Sequence, residues 1–144
     1  MDILHKYING NTIVTMYKDG TKVREYDDNV TPKPIYPESI DIKITDYCDM
    51  GCKYCHESST TKGKHGDLDK LLEILDVLPS GCEISIGGGN PLSLPNLISF
   101  LKRTKEKGII NNLTVNQGHL GVYFDVIKYL LGNELIHGLG ISVI

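Results

Sequence analysis

The segment CDMGCKYCHES, residues 48–58, places Cys48, Cys52 and Cys55 within eight positions, and the chain's fourth cysteine, Cys82, stands well downstream. Three thiols this close can hold zinc, hold an iron–sulfur cluster or exchange disulfides. A structural zinc site takes four ligands, usually as two separated pairs, so zinc here would need a recruit. Cys82 is a poor one, because it opens the strand CEISI whereas the triplet follows the end of another. In parallel strands that separation is about 13–17 Å at roughly 3.3 Å per residue, and Cys82 reads as a small buried apolar residue. His56 adjoins Cys55, and His65 sits in the polar stretch TTKGKHGD, so neither offers itself readily. A [4Fe–4S] cluster normally takes four cysteines. Three leave one iron open, and an open position is what separates a catalytic metal site from a closed structural one.

The elements that must position these thiols follow from pattern. Residues 1–30 read as a β-meander, with turns at Asn9-Gly10 and Asp19-Gly20 flanked by NTIVTMY and TKVREY. Residues 31–38, with Pro32, Pro34 and Pro37, read as an extended linker. From residue 39 to 144 the order becomes strand, helix, strand, helix, strand, helix, strand. SIDIKIT alternates and stops just before Cys48. Asp67 can cap a helix carrying Leu68, Leu71, Leu72, Leu75 and Leu78 at helical spacing. CEISI runs into GGGNP; LPNLISFLKRTKEKG is a second helix, with Pro95 in its first turn and Gly108 at its end. NLTVN, LGVYFDVIKYLLG and IHGLGISVI are a strand, one continuous helix and a last strand. Such a run predicts a parallel sheet with right-handed crossovers, either open or curled into a partial (β/α) barrel. Ligands of either form gather at the carboxyl ends of the strands. The cysteine loop and GGGNP both fall there.

A length of 144 residues, 40% hydrophobic and 23% charged, is that of one ordinary globular domain. A net charge of -3 disfavours nucleic acid and gives no general attraction to an anionic membrane. The first residues lack the apolar core of a signal peptide, and no run approaches a membrane span. The cytoplasm is therefore the expected location, and in a reducing compartment clustered cysteines favour a metal over a disulfide. A Gly-rich turn can also cradle phosphate, but no Gly-Lys-Ser/Thr and no G-x-G-x-x-G accompanies this one. His56, Glu57 and His119 read as solvated loop residues, with His119 close enough to a strand end to face a substrate.

CDMGCKYC resembles the cysteine motif of radical S-adenosylmethionine (SAM) enzymes, including the aromatic residue, Tyr54, before the last cysteine. GGNPL, Gly88 to Leu92, is similar to that family's Gly-Gly-Glu-Pro motif after its second strand. The resemblance implies an oxygen-sensitive [4Fe–4S] cluster on Cys48, Cys52 and Cys55, with SAM chelating the open iron. It further implies reductive cleavage of SAM to a 5′-deoxyadenosyl radical that abstracts hydrogen from an unidentified substrate. A flavodoxin- or ferredoxin-type reductant would supply the electron. By the same resemblance Tyr54, Gly88, Gly89, Asn90, Pro91, Asn116 and Ser142 contact SAM, the two glycines by letting the backbone approach its methionine group.

The sequence departs from the family in two places. Asn90 stands where a Glu is usual, and an amide oxygen accepts a weaker bond from an ammonium than a carboxylate does. The chain also stops in what reads as the fourth strand of a six-unit core, which implies a fragment or a partner chain that completes the barrel. The rival reading is a non-catalytic iron–sulfur or zinc module; a small interaction domain with incidental cysteines comes third.

Overall fold

The computed structural model describes residues 1–143 and contains two sheets. The first is an antiparallel meander of β1 (Ile3–Asn9), β2 (Thr12–Tyr17) and β3 (Lys22–Glu25). Its first turn falls one residue later than the sequence suggests. Asn9 pairs with Thr12, so Gly10 and Asn11 form the turn, with Gly10 at φ 64°. The reason is the Asn9 side chain, which is fully buried and otherwise engaged. Its Oδ1 accepts from the backbone N–H groups of Ile35 and Tyr36 at 2.9 Å, and its Nδ2 donates to the Tyr36 carbonyl at 2.8 Å. Asn11 similarly donates to the Thr31 carbonyl and accepts from Lys33 N–H. The proline-rich segment has no regular secondary structure, bends at Ile35, Tyr36 and Glu38, and is held to the meander by two amide side chains.

The second sheet is parallel, in the order β4 (Ser39–Thr45), β5 (Glu83–Gly88), β6 (Ile110–Asn116), β7 (Gly138–Ser142). Spatial order follows chain order, so right-handed crossovers place every helix on one face. That winding is consistent with a partial (β/α) barrel, and the strand order lacks the reversal of a doubly wound sheet. Its two edges, β4 and β7, do not meet among the described residues. β6 begins two residues before the expected NLTVN, and Ile144 of the expected last strand lies outside the described residues.

Helix α1 (Leu68–Leu75) starts where Asp67 caps it, its Oδ1 accepting from Asp69 and Lys70 N–H at 3.1 Å. Leu68, Leu72 and Leu75 are buried, each stabilising the fold by about 1.5–3 kcal/mol. A single 3-10 turn, Pro91–Ser93, precedes α2 (Leu97–Glu106), which buries Leu97, Phe100 and Leu101. Pro95 lies before the helix rather than in its first turn, and Gly108, at φ 76°, follows its end. Residues 120–132, expected as one helix, are two. α3 (Gln117–Val122) and α4 (Phe124–Gly132) meet at Tyr123, whose φ and ψ are -108° and 19°. The bend lets α4 bury Ile127 and Leu130 while α3 keeps His119 against the cysteine loop.

One apolar core joins these helices to Ile44, Ile84, Ile86, Leu113 and Val115 of the sheet. The alternate residues point to the other face, as a period of two demands. Strand register aligns Asp41, Ser85, Asn112 and Gly138 in one row and, beyond it, pairs Lys43 with Gly87 and Thr114 with Gly140. The meander sits at the amino ends of the strands, through ion pairs of Lys22 with Glu83 and of Arg24 with Glu38. That leaves the carboxyl ends to the cysteines.

Candidate functional site

β4 delivers the chain to the carboxyl rim at Thr45, and residues 46–66 then loop back against the end of the same strand. Cys48 N–H donates to the Thr60 carbonyl (3.0 Å), Asp46 N–H to the Lys64 carbonyl (2.9 Å) and Gly66 N–H to the Ile44 carbonyl (2.8 Å). Within the loop, Cys55 N–H donates to the Cys52 carbonyl and Ser58 N–H to the Cys55 carbonyl. Lys43 bridges Asp46 (2.6 Å) and Glu57 (2.7 Å), tying both ends of the cysteine segment to β4. The two carboxylates hold the Lys43 ammonium above its ordinary pKa, Asp46 foremost, and Lys43 in turn lowers that of Glu57. Glu57 is therefore an ion-paired residue of the site and not simply a solvated one. His56 is 90% exposed at its side chain, as expected.

The turn after β5 closes onto this loop. Gly89 N–H donates to the Thr45 carbonyl (2.8 Å) and Asn90 N–H to the Tyr47 carbonyl (2.6 Å). A Cβ on Gly89 would collide with the Tyr47 carbonyl and crowd Cys48 Cβ; one on Gly88, at φ 111°, would strike the Thr45 carbonyl. Both glycines are thus required by the approach of one loop to the other, whatever they meet on their open side. Asn90 is fully buried, its Oδ1 accepting from Leu92 N–H at 3.2 Å to cap the 3-10 turn. Pro91 is buried as well.

All three cysteines of the triplet are free thiols of intermediate exposure. They line a single cleft of about 480 Å³ over the polar face of the sheet, together with Met50, Tyr54, Glu57, Gly88, Gly89, Asn116 and Ser142. Tyr54 stands 86% exposed at its mouth. Asn116 and Ser142 are register partners on β6 and β7. Asn116 Nδ2 points to Cys52 Sγ at 4.0 Å, and its Oδ1 caps α3 by accepting from Gly118 N–H. Asn90 and Pro91 do not line the cleft. Three thiols at the mouth of one cleft are a donor set that fits a sulfur-ligated metal group with one face left open.

Cys82 is fully buried near the opposite end of the sheet, where its Sγ donates to the Pro37 carbonyl at 3.2 Å. Burial raises its thiol pKa. His65 Nδ1 is engaged with Thr45 Oγ1 at 2.9 Å. Cys82 is therefore too far from the triplet to join it, whereas His56 lines the same cleft with its Nε2 3.1 Å from Glu57 Oε1. The residue the sequence reading misplaced is His119, which is 3% exposed rather than solvated. Its Nε2 lies 2.8 Å from Asp49 Oδ1, and the Cys48, Asp49 and His119 donor atoms all fall within 4.8 Å of one another. His119 lowers the Asp49 pKa. No signal in the sequence pairs a residue of the cysteine loop with one on a helix so far along the chain.

A family model of the radical SAM superfamily matches residues 42–143, which takes in both the cysteine loop and the glycine turn. The chain belongs to the radical SAM superfamily. Members of this superfamily in general bind a [4Fe–4S] cluster and cleave SAM. The chain is also 28% identical, over 90 residues, to a protein named probable GTP 3',8-cyclase from Methanothermobacter thermautotrophicus; the alignment covers 56% of this chain and 29% of the cyclase. It therefore spans less than a third of the length of that curated relative. The superfamily match begins in β4 and leaves the meander outside it. Among the described residues, no helix is long and apolar enough to cross a membrane.

Proposed function

We propose that Cys48, Cys52 and Cys55 hold a [4Fe–4S] cluster whose open iron binds SAM, and that the chain is the cofactor-holding part of a radical SAM enzyme. The observation that carries this is the convergence of three free thiols on one cleft at the carboxyl ends of parallel strands, beside a glycine turn. A reduced cluster with SAM bound supplies a 5′-deoxyadenosyl radical for hydrogen abstraction from a substrate.

The protein's own part is positioning. Lys43 and the strand-end hydrogen bonds fix the loop that presents the thiols. Tyr54 at the mouth offers an aromatic face to adenine, and Gly88 and Gly89 leave their open side free for the methionine group. Asn116 and Ser142, adjacent on the floor, supply hydrogen-bonding groups to the ribose side. Asn90 and Pro91 act through the turn they build, since the Asn90 amide oxygen is already engaged. A flavodoxin- or ferredoxin-type protein would deliver the electron. A downstream segment or a partner chain would cover the edge of β7, where Ile141 is 46% exposed.

Anaerobic reconstitution of the cysteine variants tests this reading. Alanine at Cys48, Cys52 or Cys55 should each remove most of the bound iron and sulfide, while Cys82→Ala keeps them. With dithionite and SAM the wild-type chain should release 5′-deoxyadenosine. Full iron content in a triplet variant, or a colourless wild type, would overturn the proposal.

A further inference from the structure

Behind the cysteine loop, away from the cleft, two other elements converge on one carboxylate oxygen of that loop. Asp49 Oδ1 accepts from His119 Nε2–H on α3 at 2.8 Å and lies 3.4 Å from Asn90 Nδ2 in the turn after β5. Asn90 Nδ2 is also 3.5 Å from the Tyr123 hydroxyl, and the Tyr123 ring meets His119 edge-on. An ionised carboxylate only accepts, so Nε2 must carry the proton. The other ring nitrogen, Nδ1, is buried without a hydrogen-bond partner among the described residues. Leaving a buried polar atom so is destabilising, and an apolar residue of similar size would fill the space without that cost. Packing alone does not account for His119.

What the arrangement does account for is the charge beside Cys48. The Asp49 carboxylate, the first residue after that cysteine, has its oxygen within 4.8 Å of Cys48 Sγ. Net charge and hydrogen bonding around the sulfurs set the potential of an iron–sulfur cluster. A bare carboxylate at this distance opposes the arrival of an electron; a donated N–H draws its charge away from the thiolate.

We propose that His119 is a positioning residue which, through Asp49, holds the Cys48 end of the loop and tunes the reduction potential of the group bound there. This rests on the triplet holding a cluster. His119 touches neither the cluster nor SAM in this role. It acts on the carboxylate, and the carboxylate acts on Cys48.

The two members of the pair therefore have opposite effects. His119→Leu exposes the full Asp49 charge and should lower the midpoint potential of the reconstituted protein. Asp49→Asn removes the charge, keeps an amide oxygen for the His119 N–H, and should raise it. His119→Gln places an amide N–H near the position of Nε2 and should return the midpoint toward wild type. The measurement is a redox titration of the full chain followed by electron paramagnetic resonance (EPR), with iron content determined on each variant. If His119→Leu does not hold a cluster, the Asn and Gln variants carry the test, and an Asn midpoint equal to that of wild type overturns the proposal. Shifts of the same sign in the Leu and Asn variants overturn it too, because a purely mechanical brace would act that way. A wild-type chain that takes up no cluster defeats the underlying reading itself, a result distinct from either.

Discussion

At Gly89 the missing side chain is what allows the two loops of the site to touch. Any Cβ there meets the Tyr47 backbone, which cannot swing aside as a flexible side chain could. Gly89→Ala should destabilise the chain by about 1–3 kcal/mol, the usual cost of overpacking. Urea unfolding measures this, and a variant as stable as wild type would mean that the loops are not in contact. Cys82 uses small size differently, as a buried filler whose thiol pKa is raised by desolvation. The thiolate is the reactive form, so a raised pKa lowers reactivity at any given pH below it. In cluster-free native protein at pH 8, iodoacetamide should label Cys48, Cys52 and Cys55 but spare Cys82. Labelling of Cys82 should begin only on unfolding, as peptide masses would show; equal rates at all four would contradict the burial. The triplet was legible in the sequence because its spacing is local. The Asp49–His119 contact was not, because tertiary packing alone brings together residues of different elements, and no periodicity records it. Asn90 was legible as a member of the turn, but its burial and the commitment of its oxygen to a cap depend on how Tyr47 passes over it.

Among the elements, strands and helices with strong patterns were readable and their ends less so. SIDIKIT became β4 residue for residue, and Asp67 caps α1 through its own side chain. The region around Tyr123 read as one helix because its apolar positions continue at helical spacing across the bend. The break arises from competing demands, α3 serving the cysteine loop and α4 the core. The Asn9-Gly10 turn slipped by a residue because Asn9 bonds to the proline-rich segment, a partner distant in the chain. The docking of the meander is itself testable. Tyr7 packs beside Gly81, and its phenol pKa is pushed up to about 12, by burial first and by Glu38 next. Its unfolded value is about 10. Between these values the folded state keeps a proton that the unfolded state has lost, so stability falls as pH rises through that window. Tyr7→Phe keeps the ring and should flatten the decline between pH 10 and 12, read from urea midpoints. An identical decline in both proteins would remove Tyr7 as its source.

On the scale of the whole molecule, the parallel sheet divides its work between two faces and two ends. The apolar face carries the helices and most of the stabilising burial, while the polar face forms the floor of the cleft. The amino ends receive the meander; the carboxyl ends carry the cysteine loop and the glycine turn. This division was legible before the structure, since the order of elements in a right-handed parallel sheet fixes which loops share a rim. What the order could not say is how far the sheet curls, because curvature depends on neighbours on both edges. The central claim is that the thiols at this rim hold a cluster with one iron left for SAM. EPR spectroscopy of the reconstituted, dithionite-reduced chain, recorded with and without SAM, tests it most directly. The account predicts a reduced-cluster signal whose shape changes when SAM is added and which is absent from Cys52→Ala. A cluster signal indifferent to saturating SAM would contradict it, because it would mean that no iron is open to the cofactor.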